Sequence, residues 1–294
     1  ASWKTFQLNL PMVPITDLTI KENDLIVATQ GRSFWVLDDL TVVQQKAAGI
    51  TNKNLHVFPV NDVYRYDGYQ NLNARNAGMN PLNGSVINYY VKNISDSSKT
   101  SIEILDKNKK QIKIFATDAK EKENKIEVGK GMNQFAWDMN YPPADKIEGQ
   151  ILWHGAVPGP RAAPGNYFYK IKADKDSAEG SFTIKANPAY KLTQQDYEDQ
   201  FNFLITVRDK FNEMQKAQKN IRDVRKQIND FTDKQGKGLD KEIKQQADTI
   251  NKQMTAIEET LHQTKAKSGQ DVLNFPIRLD DKISGLYDFA VSGN

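Results

Sequence analysis

The side chains that could carry acid–base chemistry are few in this sequence. Asp38 and Asp39 form the one adjacent acidic pair ahead of residue 84. Glycosidases generally place two carboxyl groups beside one glycosidic bond, and sialidases combine a tyrosine nucleophile with an acidic partner and arginines. Neighbouring residues of a strand point to opposite faces, so this pair cannot converge on one bond. We therefore interpret the pair as the polar end of a strand and predict no catalytic residue.

The metal-binding residue types are equally scattered. The three histidines, His56, His154 and His262, stand far apart and have no ligand-type spacing, and the chain has no cysteine. The segment Asp106-Lys107-Asn108 lacks the later glycine and glutamate of a calcium loop. We predict no metal site and no cofactor.

An aromatic and proline-rich loop, Tyr141 to Arg161, is the strongest candidate for specific recognition, and its candidate binding residues are Tyr141, Trp153, His154 and Arg161. Loops on a rigid scaffold often bind ligands, here a carbohydrate or a peptide. The alternative is that Trp153 folds back onto its own domain or docks on a neighbouring one. Both interpretations stay open at this point.

The composition limits the classes of function. The chain has 294 residues, 38% hydrophobic and 26% charged, which leaves room for two or three domains. No apolar run approaches the roughly 20 residues of a membrane-spanning helix. The 40 basic and 37 acidic residues give a net charge of only +3, so the chain has no large positive field and nucleic acid is not an expected partner.

The pattern of residues changes from strand-like to helix-like along the chain, so we predict a multidomain protein, β first and α later. All four tryptophans lie before residue 154, and regularly spaced aliphatic residues among charged ones follow Leu192. The predicted boundaries are 1–45 for a partial sheet, 46–83 for a connector, 84–188 for a β-sandwich and 189–294 for helices.

The first region contains two apolar runs, Leu25 to Ala28 and Phe34 to Leu37, on either side of a turn with Gly31. This pattern predicts adjacent antiparallel strands that are buried on both faces. Such a small meander cannot build its own core, so we expect it to need covering by further sheets.

The segment Asp24 to Leu40, DLIVATQGRSFWVLDDL, resembles the closing blade of sortilin-like, BNR-repeat β-propeller proteins, many of them bacterial and secreted. Ala1-Ser2-Trp3-Lys4 is similar to the end of their Asp-box turn. The resemblance implies a truncated propeller in 1–45, an upstream propeller of the same protein as partner, and an extracytoplasmic location, periplasmic or secreted. It also leaves open an accessory domain of a BNR-type glycoside hydrolase whose active site lies in that propeller.

The region 84–188 has about seven short strands with alternating polarity, which predicts an immunoglobulin-like sandwich. Phe135 and Trp137 should point to the same side and fill its core. The predicted strands are Val86–Val91, Ser101–Leu105, Ile112–Ala116, Ile126–Val128, Asn133–Asp138, Asn166–Ala173 and Glu179–Ile184. The motifs GMNQFAWD from Gly131 and APGNYFY from Ala163 resemble the Ig-like domain of flagellar hook-capping proteins.

The last region opens with a predicted capping box at Thr193 and Asp196. Apolar residues at helical spacing then predict a long antiparallel helical hairpin, followed by a short third helix from Asp281 to Val291. We expect an exposed apolar patch near Leu286 and Phe289, and a hairpin surface for a protein partner or self-association. From the sequence and the resemblance we therefore expect a non-catalytic interaction and scaffold region of a propeller protein.

Overall fold

A computed structural model describes residues 5–47, 49–66, 82–95 and 98–292 of the chain. The Asp-box resemblance at Ala1 to Lys4 lies outside the described residues. The chain divides into two compact units. The first joins Ala1–Met139 to Gly165–Asn187, and the second joins Asn140–Pro164 to Pro188–Asn294.

The first unit begins with an antiparallel meander of three strands, β1 (Ile15–Lys21), β2 (Asp24–Thr29) and β3 (Phe34–Leu37). The strand pair predicted around Gly31 is confirmed as β2 and β3. Asp38 and Asp39 follow the end of β3. The Asp39 carboxylate accepts hydrogen bonds from the Asn23 amide (2.7 Å), the Thr41 backbone N–H (3.0 Å) and the Asn61 amide (3.0 Å). Asp39 thus closes a turn.

The connector contributes a short helix, α1 (Thr41–Ala47), and two short strands, β4 (Leu55–Val57) and β5 (Val63–Tyr64). These strands join two different sheets. β4 pairs with β6 in a three-stranded sheet of order β4-β6-β9, and β5 pairs in parallel with β11 in a five-stranded sheet of order β5-β11-β10-β7-β8. The remaining strands of both sheets are β6 (Ser85–Val91), β7 (Thr100–Leu105), β8 (Gln111–Ala116), β9 (Gly131–Trp137), β10 (Gly165–Ala173) and β11 (Asp176–Lys185).

Six of the seven strands predicted in 84–188 match these elements, and the strand predicted at Ile126–Val128 is wrong. Only single contacts connect this segment to the end of β8: Lys125 forms an isolated parallel bridge with Ala116, and the Ile126 N–H donates to the Ala116 carbonyl. A short apolar pattern without a ladder partner does not make a strand.

Aromatic side chains of the two sheets meet in a shared core. Trp137 of β9 is fully buried, and its ring centroid lies 5.7 Å from Tyr167 of β10 and 6.0 Å from Phe182 of β11. Phe135 of β9 lies 4.7 Å from Phe115 of β8. The prediction that Phe135 and Trp137 share one buried face is confirmed.

The second unit contains three helices, α2 (Gln194–Gln235), α3 (Lys241–Leu261) and α4 (Leu279–Ser292). The capping box is confirmed, since Thr193 and Asp196 exchange hydrogen bonds between side chain and backbone. The order of β first and α later is confirmed as well. Within the described residues, no helix combines the length and apolarity needed to cross a membrane.

A buried carboxylate connects α2 to α3. Glu258 is 4% exposed, and its two oxygens lie 2.7 Å from Arg222 Nε and 2.7 Å from Arg225 Nη1. Burial alone would raise the pKa of Glu258, but the hydrogen bonds from both arginines outweigh burial and hold the pKa below its ordinary value. The charged form of Glu258 therefore stabilises the folded hairpin.

We expect Glu258→Gln to destabilise the helical unit by about 3 kcal/mol at pH 7, because it leaves two arginines without their carboxylate. Since the folded pKa is lowered, this stabilisation is present above the unfolded pKa and is lost as the pH falls through the folded pKa. Urea unfolding of the wild type should show this loss below about pH 5, and that of Glu258→Gln should not. Glu259→Gln, at the exposed neighbouring position, is the control; equal effects of the two changes would contradict the prediction.

Candidate functional site

The candidate binding loop lies within the helical unit. Sequence analysis placed it in the range 84–188, but the chain leaves the first unit after Met139 and returns to it at Gly165. Two of its residues, Ala144 (4% exposed) and Val157 (1% exposed), belong to a core with residues of α2 and α4. The helical members of that core are Leu204, Val207, Phe211, Met214 and Tyr287. Ala144 and Val157 of the loop thus complete the apolar core that α2 and α4 form.

The two arms of the loop run side by side. The backbone N–H of Tyr141 donates to the Pro160 carbonyl (3.0 Å), and that of Ala144 donates to the Val157 carbonyl (3.0 Å). The arms approach so closely that a Cβ at Gly159 would lie 1.6 Å from the carbonyl oxygen of Tyr141. A residue with a side chain at 159 would therefore force the arms apart.

Asp281, in the first turn of α4, holds the tip of the loop. Its carboxylate accepts hydrogen bonds from the backbone N–H groups of Trp153 (2.8 Å) and His154 (3.0 Å), and it lies 2.9 Å from His154 Nδ1. Ser284 Oγ adds a bond to the Gly155 carbonyl (2.8 Å). Negative charge is favourable at a helix N-terminus, and bonds from N–H groups to a carboxylate are strong.

The neighbouring Asp280 is the centre of a second polar cluster, in which Asp280, His262, Gln215 and Gln218 are buried and Gln150 is partly buried. Its Oδ2 lies 2.7 Å from His262 Nδ1 and accepts a hydrogen bond from Gln150 Nε2 (2.9 Å). The second amide proton of Gln150 reaches Gln218 Oε1 (3.1 Å), and Gln150 Oε1 accepts from Gln215 Nε2 (2.7 Å). His262 Nδ1 also lies 3.2 Å from Gln150 Nε2, and its role as donor or acceptor in these contacts depends on the tautomer of the ring.

Two atoms of this cluster are buried without a hydrogen-bond partner, Gln215 Oε1 and Gln218 Nε2. Gln215 and Gln150 also line a cavity of about 310 Å³, together with apolar residues such as Ile147, Leu152 and Phe211. A cavity with unpaired amide atoms nearby has the polarity that ordered water requires.

The structure separates the four predicted site residues into two pairs. Trp153 is 50% exposed and sits next to His154 at the Asp281 anchor. Tyr141 lies at the base of the loop, with its ring 4.8 Å from Phe201 of α2, and the backbone of Arg161 pairs with Asn140 beside it. The cavity is lined by other residues. Trp153 is the most exposed aromatic ring of the loop.

Sequence analysis missed the residues that organise the site. Asp280, Asp281, Gln150 and Gln215 were not singled out, and His262 was treated as isolated. One signal was available, because Gln215 and Gln218 follow Phe211 and Met214 on the buried face of α2 and so had to find buried partners.

The arrangement anchors a loop. Each of the two buried carboxylates makes several hydrogen bonds and orients one histidine. Asp281 orients His154, and Asp280 orients His262. Among the described residues, no group of three or more histidine, aspartate or glutamate side chains could hold a metal ion.

Comparison with known proteins adds little to this geometry. No family model matches the chain, and no curated protein matches it. Among solved structures, the chain is similar to CopC from Methylosinus trichosporium OB3b at 15% identity, over 38% of this chain and 86% of CopC. The TM-score is 0.21, which is too low to support an argument about fold or function.

We expect Asp281→Ala to destabilise the helical unit by about 2 to 4 kcal/mol, because it leaves the backbone N–H groups of Trp153 and His154 without their acceptor. Hydrogen exchange should rise at Trp153 and His154, and urea unfolding should report the loss of stability. Asp288→Ala, at an exposed position of α4, should leave both unchanged. Unaltered exchange at Trp153 in Asp281→Ala would show that the anchor is unimportant.

Gly285→Ala tests how tightly the His154 ring packs on α4. A Cβ at residue 285 would lie 2.8 Å from Cε1 of that ring. Helix propensity alone favours alanine by about 1 kcal/mol, whereas the clash predicts a loss of about 1 to 3 kcal/mol. Adding His154→Ala should recover part of that loss in a double-mutant cycle. A stabilised Gly285→Ala variant would contradict the contact.

Proposed function

We propose that this chain is a non-catalytic interaction and scaffold region of a sortilin-like, BNR-repeat propeller protein, in which β1, β2 and β3 form strands of the closing blade. The observation that carries the proposal is the exposed apolar surface of this sheet, which lies on both faces of the β2 and β3 pair and on one face of β1. The sequence resemblance between Asp24 and Leu40 points to the same interpretation.

Strand pairing shows which side chains share a face. Leu18, Val27 and Trp35 stand in one cross-strand row, and Ile20, Leu25 and Leu37 stand in the next row of the same face. All six are apolar. The opposite face carries Ala28 beside Phe34 and Ile26 beside Val36 on β2 and β3, and the polar residues Asp17 and Thr19 on β1. β1 thus alternates polar and apolar residues, as a strand with one solvated face does, whereas the pair of β2 and β3 is suited to cover on both faces.

Much of this apolar surface is uncovered. Leu18 and Ile20 are 58% and 61% exposed on one face, and Phe34 and Val36 are 73% and 55% exposed on the other. Fully burying such a side chain contributes about 1.5 to 3 kcal/mol. Neighbouring sheets on both sides would supply that burial, and propeller blades pack in this way.

The remaining elements fit a spacing role. The two sheets with the Trp137 core support an immunoglobulin-like sandwich as the finer description of the second region, since five and three strands face one aromatic core. Asp39, the acidic residue nearest to a catalytic pair, is occupied by three hydrogen bonds of its turn. This occupation favours the non-catalytic interpretation over a glycosidase site in the chain.

Reading the natural gene ahead of Ala1 tests the proposal directly. We expect repeated β-rich segments with Asp-box turns of the form S-x-D-x-G-x-x-W. An arginine cluster with a tyrosine and glutamate pair among those segments would instead assign the chain as the accessory region of a glycoside hydrolase. Upstream sequence without β repeats would overturn the proposal.

We expect Phe34→Thr to behave differently in two contexts. In the present chain it should change stability by less than about 0.5 kcal/mol, because the ring is mostly exposed. In the product of the whole gene it should cost roughly 2 kcal/mol, because a neighbouring blade covers the ring. Val27→Thr, at a buried position of the same sheet, should destabilise both products; equal small effects of Phe34→Thr in both would contradict blade packing.

A further inference from the structure

The α2 and α3 hairpin has two sides of opposite character. Side-chain contacts fix how the helices face each other: Asn251 bonds to Asn229 (3.1 Å), and Glu258 bonds to Arg225 (2.7 Å). The helices are therefore antiparallel, and Arg225, Asn229, Asn251 and Glu258 mark the line along which they meet.

A stripe of half-exposed apolar residues runs along each helix beside that line. On α2 the stripe has steps of three and four, from Ile221 and Val224 to Ile228 and Phe231. On α3 it consists of Ile243, Ile250 and Ile257, at steps of seven. Val224, Phe231, Ile243, Ile250 and Ile257 are between 43% and 55% exposed.

Helix geometry places both stripes on the same side of the hairpin. Val224 precedes Arg225 by one residue, and Ile250 precedes Asn251 by one residue, so each lies about 100° from its contact line in the same rotational sense. In an antiparallel pair, equal rotations from the shared line lead to the same side. The two stripes thus border one apolar groove, here called the hairpin groove.

The opposite side of the hairpin is polar. It carries the ion pair between Lys226 and Asp230 (2.6 Å) on α2, and Asp248 and Lys252 on α3. A hairpin that needed no further contact would have no reason to collect its apolar residues on one side.

The heptad pattern of α3 also indicates missing helices. Ala247, Met254 and Leu261 repeat at seven residues, and Ile250 and Ile257 follow the first two at three residues, so together they form the a and d positions of a coiled coil. Ala247 is buried against α2, whereas Ile250 and Ile257 remain 44% and 55% exposed. The contact with α2 thus covers the a position Ala247 but leaves the d positions Ile250 and Ile257 half-exposed.

The rim of the groove identifies the occupant. Asn220 and Gln227 flank Val224, and Gln246 and Gln253 flank Ile250, all exposed and uncharged. These four side chains offer no complementary charge to an acidic or basic helix. Amide side chains both donate and accept hydrogen bonds, so two copies of the same rim complement each other without like-charge repulsion.

We propose that the hairpin groove binds a second copy of this chain, so that two hairpins pack about a two-fold axis into a four-helix bundle. This inference rests on the proposed function as an interaction region, and it names the surface and the partner. The isoleucines at d and Phe231 form the apolar centre, and the amides form the rim.

Analytical ultracentrifugation of the whole chain tests the inference. We expect a species of twice 33.4 kDa. The double change Ile250→Gln and Ile257→Gln should raise the dimer dissociation constant at least about a hundredfold, because both side chains lose apolar burial in the interface. Helicity of the monomer, read by circular dichroism, should persist, since glutamine is a good helix former. The control is Phe289→Ser on α4, which is 76% exposed and lies outside the groove.

A charge-swap pair separates self-association from a folding defect. A variant with Gln246→Lys and Gln253→Lys should be monomeric, as should one with Gln246→Glu and Gln253→Glu, and a mixture of the two should form a heterodimer. A wild-type chain that stays monomeric at about 100 µM would overturn the inference, as would a dimer that only Phe289→Ser disrupts. Neither result bears on the proposed function, which is tested by the sequence ahead of Ala1 and by the effect of Phe34→Thr in the two contexts.

Discussion

The helical unit depends on two adjacent buried carboxylates at the start of α4. Asp281 binds the tip of the loop through backbone N–H groups, and Asp280 binds the buried amide of Gln150 and the ring of His262. Burying two charges is costly unless every lone pair finds a donor, and here the loop and α3 supply those donors. The same bonds bring Val157 into the core against Phe211. Without the carboxylates, the loop would have apolar contacts but no fixed position.

Uncovered apolar surface is the second general constraint. It occurs on both faces of the β1 to β3 sheet, along one side of the hairpin, and on α4, where Leu286 and Phe289 are 49% and 76% exposed as expected from the sequence. In other proteins, large contiguous apolar patches often mark interaction sites. Glu258, whose pKa is lowered by hydrogen bonds from Arg222 and Arg225, connects α2 to α3.

Local sequence patterns predicted most of the strands and helices. They could not predict which residues far apart in the chain would contact each other. The alternation in Val86 to Val91 and the capping box at Thr193 correctly predicted a strand and a helix start, because both depend on neighbours within a few residues. The bond between Gln150 and Asp280 joins residues 130 positions apart, and no local pattern encodes it. For the same reason the sequence identified the loop from Tyr141 to Arg161 but did not show which core Ala144 and Val157 would enter.

The helical unit is built from two separate stretches of the chain, and this affects the order in which the two units can fold during synthesis. The last strand of the first unit ends at Lys185, so both sheets can close while α2, α3 and α4 are still to be made. The loop, already synthesised, can then meet the apolar residues of α2, but its anchors Asp280 and Asp281 come only with the first turn of α4. A chain that ends prematurely within α3 would therefore have a folded first unit and a loop without its anchoring carboxylates. Such a product exposes apolar residues and is a substrate for chaperones or proteases.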